Sequence, residues 1–212
     1  MQNYETQNKS KEINYISTNK DELINKAFQF HSEGKILEAA KNYKYLINKG
    51  LKDERVFSNY GVILQKLGEL KEAELVTLES IKINNNFAKA HFNLGNILKV
   101  RGKLQEAEVS YRKAIEIDPN FENSYSNLGT ILFDLGKLKE AEKVTRKAIK
   151  LNPNYTLAHV NLGIILNDLG KLKEAEISYH KAIEINPNFA KAHFNLGNIL
   201  RDLGKLKEAG MS

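Results

Sequence analysis

An all-α fold, built by stacking one antiparallel helix pair on the next, follows from three features of the 212-residue sequence. Gly34, Gly68, Gly102, Gly136, Gly170 and Gly204 recur every 34 residues. Gly61, Gly95, Gly129, Gly163 and Gly197 form a second series at the same period, and Pro119, Pro153 and Pro187 share it. One compact core gives no reason for such regularity. A period of about 20–50 residues marks a solenoid, in which each unit buries its apolar face on its neighbours.

Each unit resolves into two helices. The first covers segments such as 88–100 and 157–169, where Leu94, Ile97 and Leu98 recur at helical spacing. Gly102 and its equivalents, Gly204 included, then break the chain, because glycine takes the left-handed turn between helices at little cost. The second helix runs from Lys103 to Ile117, with Leu104, Ala107, Tyr111, Ala114 and Ile115 as its apolar stripe. Pro119 closes the unit, since the residue before a proline resists helix. Gly95 and its equivalents lie inside the first helix, where glycine costs about 1 kcal/mol against alanine. Close helix–helix approach accounts for that cost, with Ala107, Ala141 and Ala175 as the expected small partners.

In this register residues 1–19 form a polar, flexible leader, from which Ile13, Tyr15 and Ile16 could dock on the first pair. The solenoid then spans 20–212 as units 20–53, 54–87, 88–121, 122–155, 156–189 and a partial 190–212. The first unit is degenerate, with Ala27 at the helix-interior glycine position and Leu46 at the usual alanine, yet Ala39, Ala40 and Tyr43 keep the spacing. The last unit stops within its second helix, with Gly210 where Glu108, Glu142 and Glu176 stand. A solenoid normally ends in a polar helix that shields its last apolar face. Three readings stand: the chain is the leading part of a larger protein, this end associates with another chain, or it is a natural frayed terminus.

The residues Leu94, Gly95, Leu98, Ala107, Tyr111, Ala114 and Pro119 resemble the signature of the tetratricopeptide repeat (TPR) family. Leu128, Gly129, Leu132, Ala141, Ala148 and Pro153 repeat it, as do Leu162, Gly163, Leu166, Ala175, Tyr179, Ala182 and Pro187. The customary tryptophan of the first helix is replaced by Phe57, His91, Tyr125, His159 and His193. The resemblance implies a right-handed α–α superhelix whose first helices line a concave groove. It also implies a scaffold for proteins or peptides, not an enzyme. Bacterial proteins with repeats like these often carry a transferase domain downstream.

In the family, positions two, five, six, nine, twelve and thirteen of each unit face the groove. Position six here is Asn59, Asn93, Asn127, Asn161 and Asn195. An amide offers a donor and an acceptor, so such a ladder could bracket an extended peptide regardless of its side chains. The recurring asparagine before Leu-Gly is similar to the superhelical repeats of O-linked sugar transferases. The ladder could equally brace the stack. Other groove candidates vary from unit to unit: Lys89, Phe92, Asn96 and Lys99, then Thr130 and Asp134. Further along come Asn167 and Asp168, then Lys191, Asn198, Arg201 and Asp202. Position five is Ser58, Phe92, Ser126, Val160 and Phe194, so the lysine of the family's carboxylate clamp is missing.

Composition narrows the chemistry. There is no cysteine, which removes disulfides, thiolate nucleophiles and cysteine-ligated metals. His159 and His193 are one repeat apart, about 10 Å in stacked helix pairs, too far to share a metal bound at about 2 Å. They read as half-buried rings in place of the tryptophan. Glu106 and Glu108 recur with the repeat and read as solvated helix surface. No catalytic motif is present, and no cofactor or metal is expected. The net charge of +6 is spread along the chain, with lysines alternating with glutamates on the second helices, which argues against nucleic acid. No segment has the apolar length of a membrane span or signal peptide, so a soluble, cytoplasmic protein is expected.

Overall fold

The computed structural model describes residues 20–208, and all of them that form regular structure are helical. The expected leader over 1–19, with Ile13, Tyr15 and Ile16, and Gly210 lie outside the described residues. Five helix pairs follow in order: α1 (Lys20–Ser32) with α2 (Ile36–Asn48), α3 (Glu54–Lys66) with α4 (Leu70–Ile83), α5 (Ala88–Val100) with α6 (Leu104–Ile117), α7 (Glu122–Asp134) with α8 (Leu138–Leu151), and α9 (Thr156–Asp168) with α10 (Leu172–Ile185). The final element is α11 (Ala190–Glu208). First helices begin 34 residues apart throughout, so the degenerate opening unit keeps the register of the others.

Two sorts of punctuation make this regularity. Between the helices of a pair, Gly34, Gly68, Gly102, Gly136 and Gly170 all have positive φ, from +72° to +83°. The next amide then reaches back over the last turn, as in Lys103 N→Leu98 O at 2.9 Å and Lys171 N→Leu166 O at 2.8 Å. This closes the carbonyls that a helix end leaves open. Between pairs, a short polar side chain folds the chain: Asn86 N donates to Asn84 Oδ1 at 3.0 Å and Asn120 N to Asp118 Oδ1 at 3.0 Å, with Asn152 and Asn186 acting alike. The first unit departs from this, ending at Gly50 (φ +84°), with Asp53 capping α3 through Arg55 N at 3.0 Å.

Gly204 corrects the expectation of a sixth break. Its φ is not positive, and α11 runs through it to Glu208. Within the two units, at Gly34, Gly68, Gly136 and Gly170, a second helix of 13 or 14 residues packs back on the first. The unbroken helix keeps the intrahelical hydrogen bonds that a turn at Gly204 would sacrifice.

The chain divides into two compact units, residues 1–103 and 104–212. In the first, Ile24, Tyr43, Leu46, Val56, Ile63, Leu64 and Ile97 form a continuous core between α1 and α5. In the second, Val160, Leu162, Leu166, Tyr179, Leu196 and Ile199 do the same between α9 and α11. Each such aliphatic side chain contributes about 1.5–3 kcal/mol on burial. Within each unit first helices also touch the next first helix, α3 with α5, then α7 with α9 and α9 with α11, so they form one layer.

The helix-interior glycines admit close approach, but not mainly to the expected alanines. A Cβ on Gly61 or Gly129 would collide with the hydroxyl of Thr77 or Thr145, and one on Gly163 would stand 2.5 Å from the Tyr179 ring. Ala73 and Ala141 come next, through their backbone carbonyls. The second helix thus meets glycine with a side chain one turn further on. At this register the sequence alternates: Tyr43, Thr77, Tyr111, Thr145, Tyr179.

Candidate peptide-binding face

The asparagine register is tied into the protein. Asn93 is buried and donates from Nδ2 to Ser58 Oγ at 2.9 Å, linking α5 to α3. Asn161 Nδ2 donates to Thr130 Oγ1 at 3.3 Å, linking α9 to α7. Asn127 instead bonds the Tyr111 hydroxyl. Asn195 is turned toward Tyr179, although its Nδ2 makes no hydrogen bond of ordinary geometry. After Tyr111 and Tyr179 the asparagine turns to the phenol, and after Thr77 and Thr145 it reaches the preceding first helix, whereas Asn59 leaves the Tyr43 hydroxyl without a partner. Burial pushes the Tyr179 hydroxyl up to about 12 and Tyr111 higher still, so both remain neutral donors and acceptors at ordinary pH.

The remaining groove candidates fall into groups. In the second unit, Thr130 and Asp134 from α7, Asn161 from α9 and Lys191 from α11 meet around one pocket of about 150 Å³. Phe133, Ile164 and Ile165 give it apolar walls. In the first unit, Asn59 and Lys89 share a pocket with Phe28, His31, Tyr43 and Lys66. Phe92, Asn96 and Lys99 are half-buried along α5. Asn167 and Asp168 are exposed at the end of α9 and belong to neither pocket. On α11 the candidates contact each other, Arg201 reaching Asn198 Oδ1 at 3.2 Å and Asp202 at 3.8 Å.

Sequence reasoning missed Asn25, which holds position six of the first unit and is exposed on α1. It also left unnamed Phe28, His31 and Lys66, at positions nine, twelve and thirteen, and Phe133 and Ile164 at positions twelve and nine. The signal was available: the same six positions applied to every unit find them. The degenerate look of the first unit concealed three.

The histidines serve the turns. Nε2 of His91 lies 3.0 Å from Asn85 O, that of His159 2.9 Å from Pro153 O and that of His193 2.7 Å from Pro187 O. Each ring thus pins the loop entering its own helix. His91 and His159 are buried more fully than the half-buried rings expected of tryptophan substitutes, whereas His193 is exposed. Among the described residues no group of three potential metal ligands occurs.

The opposite side corrects two expectations. Glu108 is no solvated surface residue: its side chain is 12 % exposed and takes Arg112 at 2.8 Å and, from the next unit in sequence, Lys137 at 2.8 Å. Glu142 repeats this with Arg146 at 3.0 Å and Lys171 at 2.9 Å. Arg112 and Arg146 continue to Glu140 and Glu174. The lysine–glutamate alternation therefore joins successive pairs, and is not confined to single helices. Lys171, then Arg146, hold Glu142 below the usual carboxylate range, and for Glu108 burial pulls upward but is outweighed by Lys137 and Arg112.

Stacked helix pairs with a first-helix layer, left-handed glycine turns and cross-repeat asparagines define a helical-repeat scaffold. Models of the tetratricopeptide repeat match residues 88–121, 123–155 and 144–177, and a further TPR repeat model matches 163–204. The chain belongs to this family. Among solved structures it is similar to YrrB, a TPR protein with an unusual peptide-binding site, at 26% identity and a TM-score of 0.65, over 78% of this chain and 86% of that one. It is also similar to MamA from Desulfovibrio magneticus RS-1, at 20% identity and a TM-score of 0.69, over 80% and 96% of the two chains, a likeness of fold. A third is the first TPR of Spaghetti (RPAP3) bound to HSP90 peptide SRMEEVD, at 32% identity and a TM-score of 0.54, over 55% and 93%. No curated protein sequence matches. No helix among the described residues is long and apolar enough to cross a membrane.

Proposed function

We propose that the chain is a non-catalytic scaffold that holds an extended peptide segment along its first-helix face. The observation that carries this reading is the pocket in the second unit, where three consecutive first helices converge. Its volume of about 150 Å³ equals that of an engineered protein cavity that accepts benzene, so it suits one leucine- or phenylalanine-sized side chain. Thr130, Asp134, Asn161 and Lys191 at its rim supply donors and acceptors for the flanking backbone. YrrB, with its peptide-binding site, and the RPAP3 repeat bound to a peptide support the same use of this fold. So does the likeness of the asparagine register to the O-linked sugar transferase repeats.

In this reading the asparagines have two duties, bracing neighbouring helices and presenting amides to the ligand backbone. A peptide-library capture comparing the chain with Asn93→Ala/Asn127→Ala/Asn161→Ala separates them. Capture lost with an unchanged circular dichroism spectrum supports the ligand duty, whereas unfolding assigns the ladder to bracing. Lys191→Glu on the exposed rim provides a variant outside the core. A captured peptide that binds it unchanged, with the same side-chain preferences, sinks the pocket as the site.

A second reading, an assembly module, draws on α11, where Phe194 is 71 % and Leu200 48 % exposed and nothing lies within 4 Å of a Cβ at Gly197. Solution mass over a concentration range tests it, and a strictly monomeric result rejects self-association.

A further inference from the structure

The second-helix side of the second compact unit carries a stripe of uncompensated charge. On α8, Lys139, Lys143, Lys147 and Lys150 stand at i, i+4, i+8 and i+11, and all four are exposed. At about 100° per residue they fall within about 80° of one another, along about 16 Å of helix. Both carboxylates of α8 are engaged elsewhere. Glu140 takes Arg112 of α6 at 2.6 Å, and Glu142 takes Arg146 at 3.0 Å and Lys171 at 2.9 Å. The four lysines have no ion-pair partner among the described residues. The neighbouring second helices differ at the same register. There the lysines equivalent to Lys147 are neutralised, Lys113 by Glu116 and Lys181 by Glu184, each at 2.8 Å. Lys150 stands where those glutamates would. A second observation adjoins the stripe. At the register of Lys143, α6 and α10 present Val109 and Ile177, which are 67 % and 68 % exposed. Between α8 and α10 lies a groove of about 400 Å³, lined by Ile149, Leu162 and Ile177 together with Lys150 and Lys181. Leu162 is buried and Ile149 half-buried, so part of this apolar wall is recessed.

We infer that this face docks an acidic amphipathic helix of a partner protein. Its carboxylates meet the four lysines of α8, and an aliphatic side chain beside them enters the α8–α10 groove. A helix repeats side chains on one face at i, i+4 and i+8, so a row of carboxylates along it matches the stripe in spacing and sign. Single exposed ion pairs contribute little, and the apolar anchor supplies what they lack. An anionic membrane would meet the lysines equally, but as a plane it would pass over the recessed wall. A nucleic-acid strand would find no phenylalanine or tyrosine in the groove on which to stack a base. This surface goes beyond the peptide-groove reading and is separate from it, sharing no lining residue with the pocket around Asn161 and Lys191.

The test titrates the full chain into a fluorescein-labelled helical peptide that carries glutamates at the spacing of the stripe and a leucine beside them. An isomer with the same glutamates spread around the helix, phosphatidylserine–phosphatidylcholine vesicles and duplex DNA serve as rivals. Fluorescence anisotropy should show the striped peptide binding at least about tenfold tighter than its isomer, and more weakly as salt rises. Lys143→Glu/Lys147→Glu should abolish that preference with an unchanged circular dichroism spectrum, since both side chains are exposed. Ile177→Ser should remove the advantage of leucine over alanine in the peptide while leaving the salt dependence. Equal affinity for the isomer, no binding up to the solubility of the peptide, or an unaffected lysine double variant overturns the site. So does a preference for the vesicles or the DNA. A peptide held on the first-helix face should not displace the probe, and displacement overturns this surface. Striped-peptide binding by a chain that captures no library peptide keeps this surface and removes the groove.

Discussion

Gly163 and Gly197 hold the same position in successive first helices, yet the structure separates them physically. Over Gly163 the Tyr179 ring leaves no room for a methyl group, whereas nothing lies within 4 Å of a Cβ at Gly197. Gly163→Ala should therefore destabilise by about 1–3 kcal/mol through overpacking. Gly197→Ala should stabilise by up to about 1 kcal/mol, because alanine loses less backbone entropy in a helix. Urea unfolding of the two variants checks this, and equal effects would refute the packing account. The sequence marks these glycines as equivalent; only the neighbouring helix distinguishes them.

At the scale of elements, the second helices are riveted by carboxylates that look, in sequence, like ordinary surface. Glu142 holds Arg146 of its own helix and Lys171 of the turn before α10, but both are more than 40 % exposed, so solvent weakens each pair. Glu142→Gln should cost about 1 kcal/mol, with a loss that shrinks at high salt. The pH dependence has two stages. Unfolded carboxylates take protons near pH 4.5, while Glu142 and Glu108 are held lower in the fold. The unfolded chain then binds more protons, and stability falls as pH drops below about 4.5. His31, depressed from 6.5, begins the loss earlier, since the unfolded imidazole protonates first. Thermal melts from pH 7 to pH 3 should show a shallow decline near 6.5 and a steeper one below 4.5. In Glu142→Gln the second stage should be smaller.

At the scale of the molecule, each helix within a compact unit touches chiefly its sequence neighbours, so each unit's stability is a chain of neighbour interfaces. A lesion such as Gly163→Ala should lower amide-exchange protection through α9 and α10, while α1 and α2 keep theirs. Uniform loss across all helices would show global coupling instead. This arrangement also explains what could be read in advance. Helix boundaries, register and the glycine turns are short-range consequences of a 34-residue period, and they were legible. The unbroken helix at Gly204 was not, because a turn there depends on a second helix returning to pack, which periodicity cannot guarantee. Charge partners such as Glu108 and Lys137 span two units, and a pattern confined to one helix hides them. The pocket residue His31 was concealed for another reason: the opening repeat departs from consensus at Ala27 on the same helix, whereas Lys66 lies in a regular repeat and follows from applying position thirteen there.

The alternation of tyrosine and threonine opposite the first helix has a consequence for how such a chain can be rearranged. Units come in two kinds, one offering a phenol to its successor and the other a first-helix hydroxyl at Ser58 or Thr130. At Asn93, Asn127 and Asn161 the asparagine meets whichever is present, while Asn59 leaves Tyr43 without a partner. At those three junctions it works as a coupling that fits either kind of part. Whole units can then be deleted, duplicated or exchanged without retuning the junction, so the face that meets a ligand can lengthen or change its wording while the joints stay the same.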